Sequence, residues 1–285
     1  MKNNRLISFF IILIVYVIAT IVGVLTYTAL DITFWLKVLI ADIVATIVVF
    51  IFSLIFKNAS VYDPYWSVAP IIILTLLMIE FGVSASGLLA LIAVILWGVR
   101  LTINWAYTFK NLNHEDWRYR MLNKKCGKFY PIINFIGIHM VPTLVVYFAM
   151  IPLALVIKEK LEINVFVVIF FILCALSMLL QMVSDIEMHK FRKNKNAVFN
   201  RNGLWKYSRH PNYLAEILMW WNAGLLAVSA FNGMLWLLFG AFLNTLLFLF
   251  VSIPLAEGHQ KERKEGFDLY KSETRMLLPI KKPLF

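Results

Sequence analysis

Apolar residues run almost unbroken through eight windows of the chain, at residues 6–27, 34–56, 68–81, 88–109, 131–157, 163–188, 213–230 and 234–255. A helix needs roughly 20 apolar residues to cross the hydrocarbon core of a bilayer. Windows of this length predict an all-α fold, a polytopic integral membrane helical bundle of about seven or eight transmembrane helices. The third window is short, so it is either re-entrant or buried among other helices. The first follows Lys2 and Arg5 as a signal peptide would, but no convincing small-residue cleavage site comes after it, and it reads as a retained span.

Composition agrees with the windows. The chain has 285 residues, 61% hydrophobic and 15% charged, with mean hydropathy +0.78, values outside the range of soluble domains. Nine Trp, eleven Tyr and 23 Phe suit interfacial belts and an aromatic-lined cavity. A net charge of +11 raises the question of nucleic acid. The charges are confined to short loops between apolar spans, however, and orientation explains them better. Of the 27 Lys and Arg, all but Lys37, Arg100, Lys158 and Lys160 fall in the N-terminal segment, at Lys57, in 110–130, in 190–212 or after 255. With eight spans these segments share one side, which the positive-inside rule makes cytoplasmic. Cys126 and Cys174 are far apart and predict no disulfide framework. No C-x-x-C or H-E-x-x-H spacing offers a metal site.

Against this apolar background a few polar stretches stand out. The densest is Asn202-Gly203-Leu204-Trp205-Lys206-Tyr207-Ser208-Arg209-His210-Pro211-Asn212-Tyr213-Leu214-Ala215-Glu216. Pro211 suits the first turn of a helix starting near Asn212, which holds Arg209 and His210 at a helix start, where unpaired N–H groups and the dipole favour anions. A basic loop that only fixes orientation is the plainer alternative. Window six ends with Gln181, Asp185, His189 and Arg192 at i, i+4, i+8 and i+11, a polar stripe running from membrane depth into the basic loop. Such a stripe looks like a cavity wall, though Asp185 pairing with Arg192 would also account for it. After the last window an amphipathic helix is expected to continue to Tyr270. It carries His259, Arg263, Phe267 and Tyr270 on one face, which either lies on anionic lipid or closes the cavity, with Leu277-Leu278-Pro279 anchoring the tail. In the N-terminal half, Asp63-Pro64-Tyr65-Trp66 and His114-Glu115-Asp116-Trp117-Arg118-Tyr119 are polar and aromatic. Arg100 sits one turn from Asn104 inside window four and needs a partner, for which Asp42, Glu80 and Asp63 are the candidates.

At these residues the chain resembles the bacterial membrane family with the steroid 5α-reductase C-terminal domain. The resemblance is carried by Gly203-Leu204-Trp205, by Tyr207 through Tyr213 with Glu216, by Asp185 with Phe191-Arg192, and by Glu257, His259, Tyr270 and Leu278-Pro279. The last two groups are similar to the flanking motifs of steroid 5α-reductases and sterol C14 and C7 reductases. Asp63-Pro64-Tyr65-Trp66 and Glu115 through Tyr119 are similar to the bacterial branch. The likeness covers about 180–285 specifically and 58–130 more loosely. It divides the chain into an N-terminal transmembrane pair, 1–57, and a reductase-like membrane domain, 58–285.

The resemblance implies a helical bundle enclosing NADPH that enters from the cytoplasmic side. Asp185, Arg192, Arg209, Asn212, Tyr213 and His259 would contact the nucleotide, and Glu216 would lie near the nicotinamide carboxamide. Trp205, His210, Glu257, Arg263 and Tyr270 complete the expected cofactor-binding set. Met188 replaces the lysine found in sterol reductases, and the tyrosine that holds the steroid ketone in animal enzymes falls on Leu101. Tyr65, Tyr119 and Asp63 are the candidate catalytic groups.

The function implied is reduction of a carbon-carbon double bond in a lipophilic enone, steroid-like or isoprenoid-like, in the membrane of a bacterium. The alternatives are an S-adenosylmethionine-dependent membrane methyltransferase, whose isoprenylcysteine and phospholipid classes share an Arg-His-Pro-x-Tyr turn, and a non-enzymatic scaffold on the same fold. The expected partners are a lipophilic small molecule and the bilayer, not nucleic acid.

Overall fold

The computed structural model describes residues 3–193, 198–231 and 233–278. Lys2, counted among the N-terminal charges, and Pro279, expected in the tail anchor, lie outside the described residues. The described residues form helices and no strand, apart from an isolated β-bridge between Ser208 and Arg275. Among the described residues, eight helices are long and apolar enough to cross a membrane, as the windows predict.

The spans alternate between two ends of the bundle. Helix α1 (Arg5–Ala29) begins on an Asn4 cap, whose side chain accepts from the amides of Leu6 and Ile7. Helix α2 (Phe34–Phe56) returns and stops at Lys57 in the left-handed conformation. A 3-10 turn at Ala59–Val61 leads into α3 (Tyr65–Phe81), and α4 (Ala85–Thr108) starts on a Ser84 cap. Together the turn and α3 make 23 residues, Ala59–Phe81, so the short window has the length of a span. The start of α1 meets the end of α4, with Arg5 donating to the Ala106 carbonyl at 2.6 Å. Asn58, after α2, donates to the Leu112 carbonyl at 2.6 Å. At the opposite end Tyr27 of α1 donates to Glu80 of α3 at 2.8 Å.

The segment expected as a loop at 110–130 is largely helical. Asp116 caps α5 (Trp117–Cys126). A 3-10 turn, α6 (Tyr130–Ile133) and a π-helical segment at Asn134–Met140 then run into α7 (Val141–Glu159). From Ala149 to Ile157 helix α7 is buried on all sides, with Leu153, Ala154, Val156 and Ile157 inaccessible, and this stretch forms the centre of the core. Helix α8 (Val165–Lys193) starts on Asn164 and ends at the basic end, and α9 (Pro211–Ala230) returns to the opposite end, where Asn164 donates to the Ser229 carbonyl at 2.9 Å.

Helix α10 (Phe239–Leu247), a π segment at Phe248–Ser252 and α11 (Ile253–Arg263) complete the last span. The amphipathic helix expected to continue to Tyr270 is broken after Arg263: Gly266 turns the chain at φ +76°, and α12 (Phe267–Glu273) starts in a new direction. Phe267 and Tyr270 are therefore buried against Phe199 while Arg263 is exposed, and the four residues do not share one face.

Helix α10 touches α7 backbone to backbone. A Cβ on Gly240 would lie 2.1 Å from the Ala149 nitrogen and 2.2 Å from the Phe148 carbonyl carbon, whereas one on Gly258 would meet nothing within 4 Å. Gly240→Ala is expected to destabilise the bundle by about 3 kcal/mol through overpacking. In thermal denaturation of the detergent-purified protein, Gly258→Ala should stay close to wild type. Equal midpoints for the two variants would rule out this packing.

Candidate functional site

Helices α4 and α8 face each other through polar side chains. On α4, Trp97, Arg100, Asn104 and Tyr107 recur at helical spacing along one face. On α8, Gln181, Asp185 and His189 do the same. Asp185 pairs with Arg100, and neither is more than 13% exposed. His189 Nε2 lies 2.7 Å from Asn104 Oδ1, and its ring packs 4.6 Å from Tyr107. Arg100 thus takes Asp185, which is none of the three acids suggested by the sequence. Asp185 thus makes its ion pair with Arg100 rather than with Arg192. Arg100 and Asp185 are 85 residues apart, and only the packing of α4 on α8 joins them.

The inner end of this ladder is Glu216, 3% exposed on α9. Its carboxylate accepts from Trp97 Nε1 at 2.8 and 2.9 Å, from Trp220 Nε1 at 3.0 Å and from the Gln181 amide. Trp97 and Trp220 carry no signal in the sequence beyond their apolar windows. Their role follows only from the acid between them.

Near the basic end a second network uses residues expected at a cofactor. Arg209 is buried; its Nε and Nη2 each donate to Glu257 at 2.8 Å, and its Nη1 donates to the carbonyls of Lys271 and Thr274. The Glu257 carboxylate also takes His210 Nε2 and Lys271 Nζ, both at 3.2 Å. Trp205 donates to the Ser184 carbonyl at 3.0 Å, and Tyr270 stacks on Phe199 at 4.7 Å. Gly203, at φ +57°, lets the Leu204 amide reach Glu187 at 2.9 Å; a Cβ there would lie 1.9 Å from the same carboxylate. The Arg209 amide donates to the Arg275 carbonyl at 2.8 Å, so the tail is held on this loop. Trp205, Arg209, His210, Glu257 and Tyr270, all expected to contact a nucleotide, are bonded to one another and to the backbone. Burial pushes the Tyr270 hydroxyl up to about 12.

What remains open lies between the ends of α8, α9 and α11. Arg192 is exposed and makes no hydrogen bond or ion pair with a described residue, although its charge reaches Asp185. Burial and the Arg192 charge together hold Lys264 below the usual lysine range, so two cations gather here. Helix α9 starts without a side-chain cap, and Asn212 Oδ1 is buried without a hydrogen bond. Tyr213 stacks on His210 at 5.2 Å and lies within electrostatic reach of Arg118 and Arg192. His259 stacks flat on Trp117, centroids 3.6 Å apart, and Arg263 reaches His259 at 3.4 Å. Cations without an ion pair near an uncapped helix start, beside an unbonded carbonyl oxygen and an aromatic ring, are suited to an anionic ligand with hydrogen-bond donors.

The three candidate catalytic residues separate. Tyr119 donates to Asp63, beside Arg118 and Asp116. Burial would raise the Asp116 carboxyl, but Arg118, at 2.8 Å, holds it below the carboxylate range. Tyr65 instead packs on Tyr16 and Tyr62 and faces a cavity between α1, α2 and α3.

A family model described as "Protein of unknown function (DUF1295)" matches residues 49–274. The uncharacterized protein C594.04c of Schizosaccharomyces pombe is 26% identical over 254 residues, 78% of this chain and 73% of that protein. No solved structure matches the chain.

Two outcomes follow from the Arg209 network. Arg209→Leu strands a buried carboxylate and is expected to cost about 3 kcal/mol, releasing the segment after Arg263 to limited proteolysis; unchanged cleavage would contradict the network. Burial holds His210 below the usual histidine range against the pull of Glu257. As pH falls the unfolded chain is protonated first, so stability is complete above about pH 6.5 and declines below it. His210→Gln should flatten that decline in melting temperature.

Proposed function

We propose that this chain, which belongs to the DUF1295 family, is a membrane-embedded NADPH-dependent reductase of a carbon-carbon double bond in a lipophilic enone. The observation that carries the reading is the grouping of Arg192 and Lys264, neither in an ion pair with a described residue, with the uncapped start of α9 and the unbonded Asn212 oxygen. Its residues fit a dinucleotide phosphate: two cations and a helix start for the phosphates, a carbonyl oxygen for a donor, and the Tyr213 ring for a flat face. The likeness of the 180–285 motifs to steroid 5α-reductases and sterol reductases supports the same assignment.

The assignment narrows the cofactor set to Arg192, Asn212, Tyr213, His259 and Lys264, with Arg209, His210 and Glu257 holding the wall behind them. Bound there, NADPH would supply a hydride to the β-carbon of the enone, and a proton taken up from water at the α-carbon would complete the reduction. Tyr119, with Asp63 behind it, donates to the substrate carbonyl and stabilises the charge that develops on its oxygen. Asp185 and Glu216, both paired inside the bundle, position α8 and α9 around the cleft. By the positive-inside rule the basic end, with both chain ends, faces the cytoplasm, in a bacterium across the inner membrane.

The test is thermal stabilisation of the detergent-purified protein by NADPH, NADH and S-adenosylmethionine. NADPH at about 100 times its dissociation constant should stabilise by roughly 2.7 kcal/mol, and Arg192→Ala and Asn212→Ala should each reduce the shift. A shift with S-adenosylmethionine alone would make the chain a methyltransferase, and no shift with any of the three would point to a scaffold. In an enone screen Tyr119→Phe should lower turnover about a hundredfold.

A further inference from the structure

A cavity of about 480 Å³ lies between α1, α2 and α3, well within the size of sites that hold small molecules. Val24, Val38, Ile72 and Leu76 contribute apolar wall, and Gly23, Ala41, Ala45 and Ala69 leave the space open by their small size. Most of its polar groups are already paired. Tyr27 donates to Glu80 at 2.8 Å, and Lys37 sits 4.6 Å over the Tyr27 ring. Tyr16 donates to the Val61 carbonyl at 2.6 Å, and Tyr65 is hydrogen-bonded to Thr46.

Asp42 is the exception. It lines the cavity, is only 7% exposed, and has no hydrogen bond or ion pair to any described residue. A carboxyl placed at membrane depth without a partner is costly, and such groups mark sites where something else completes them. The ligand must supply a hydrogen-bond donor on an otherwise apolar body. A fatty acid would set a second carboxyl against Asp42, and an ammonium lipid would meet the Lys37 charge at the rim. A hydroxyl meets neither objection.

We propose that this cavity binds a lipophilic alcohol, with the body lying along α1–α3 and the hydroxyl donating to Asp42. The site is built mainly on α1 and on the part of α2 that precedes the matched segment, residues 49–274. It is separate from the cleft at the start of α9 and stands or falls apart from the reductase reading.

The experiment is binding to the full-length detergent-purified protein, followed by native mass spectrometry, of oleyl alcohol, farnesol and the methyl ether of each. The alcohols should bind roughly tenfold tighter than their ethers, the worth of one hydrogen bond to a carboxylate, and the tighter alcohol identifies an acyl or an isoprenoid body. Asp42→Leu should erase that preference while the ethers still bind, and the ligand-free variant should melt above wild type, since it removes a partnerless buried carboxyl. Asp42→Asn, which still offers a carbonyl oxygen, should keep the preference, and Ala41→Phe should weaken all four ligands by filling the space. Equal binding of alcohol and ether by wild type would reduce the cavity to a groove for bulk lipid and overturn the proposal. So would a preference that survives in Asp42→Leu, or no binding of either alcohol.

Discussion

A carboxyl at the centre of an apolar bundle has to be surrounded by donors before the helices can close on it, and Glu216 imposes that condition here. Its donors come from three helices: Trp97 from α4, Gln181 from α8 and Trp220 from its own α9. Leaving such a group short of donors costs far more than a lost apolar contact. The rotation of α4 and of α8 about their axes is therefore set at this point. Once Trp97 and Gln181 face the acid, the residues one and two turns nearer the basic end have no freedom left. Arg100 meets Asp185, Asn104 meets His189, and Tyr107 covers the imidazole. The ladder is a consequence of its lowest rung. It also keeps its own groups paired at a depth where water does not satisfy them.

The other polar groups divide by whether the fold consumes them. Arg209, His210, Glu257 and Lys271 consume one another, and together with the Trp205 and Tyr270 contacts they pull the 198–210 loop and the tail into a single wall. Arg192, Lys264 and the Asn212 oxygen are left over. Neither cation is held in an ion pair with a described residue, although Asp185 lies within electrostatic reach of Arg192, and their charge is what an anion would recover on binding. Stability therefore rests on residues a few positions from those that the proposed cofactor site would use.

The spans were legible because lipid demands long apolar runs and little else produces them. The start of α3 was not: its first turns carry Tyr65, Trp66 and Ser67, which an apolar window passes over, and Pro70 sits within the helix. The stripe Gln181, Asp185, His189 was readable because helical spacing shows on one segment. Its partners on α4 lie 85 residues away, and no local pattern records which of several acids an arginine will meet. The C-terminal helix was predicted as continuous because 3.6-residue periodicity survives across Lys264–Gly266. A glycine is compatible with a helix as well as with the left-handed turn it adopts here, and burial of Phe267 and Tyr270 against Phe199 decides between them.

The run Arg209-His210-Pro211-Asn212-Tyr213 explains why a motif can be plain and still ambiguous. Pro211 fixes the first residue of α9. The residues before it turn back toward Glu257, and those after it belong to the helix and border the cleft. The first half is architecture: an arginine and a histidine sharing one glutamate tie a loop to the last helix whatever the cleft holds. A turn of this kind is compatible with a reductase and with a methyltransferase alike, because Arg209 and His210 are taken up by Glu257 in the fold itself. On the proposed reading, discrimination lies with Asn212 and Tyr213 after the proline and with Arg192 at the end of α8, which stand outside the Glu257 network.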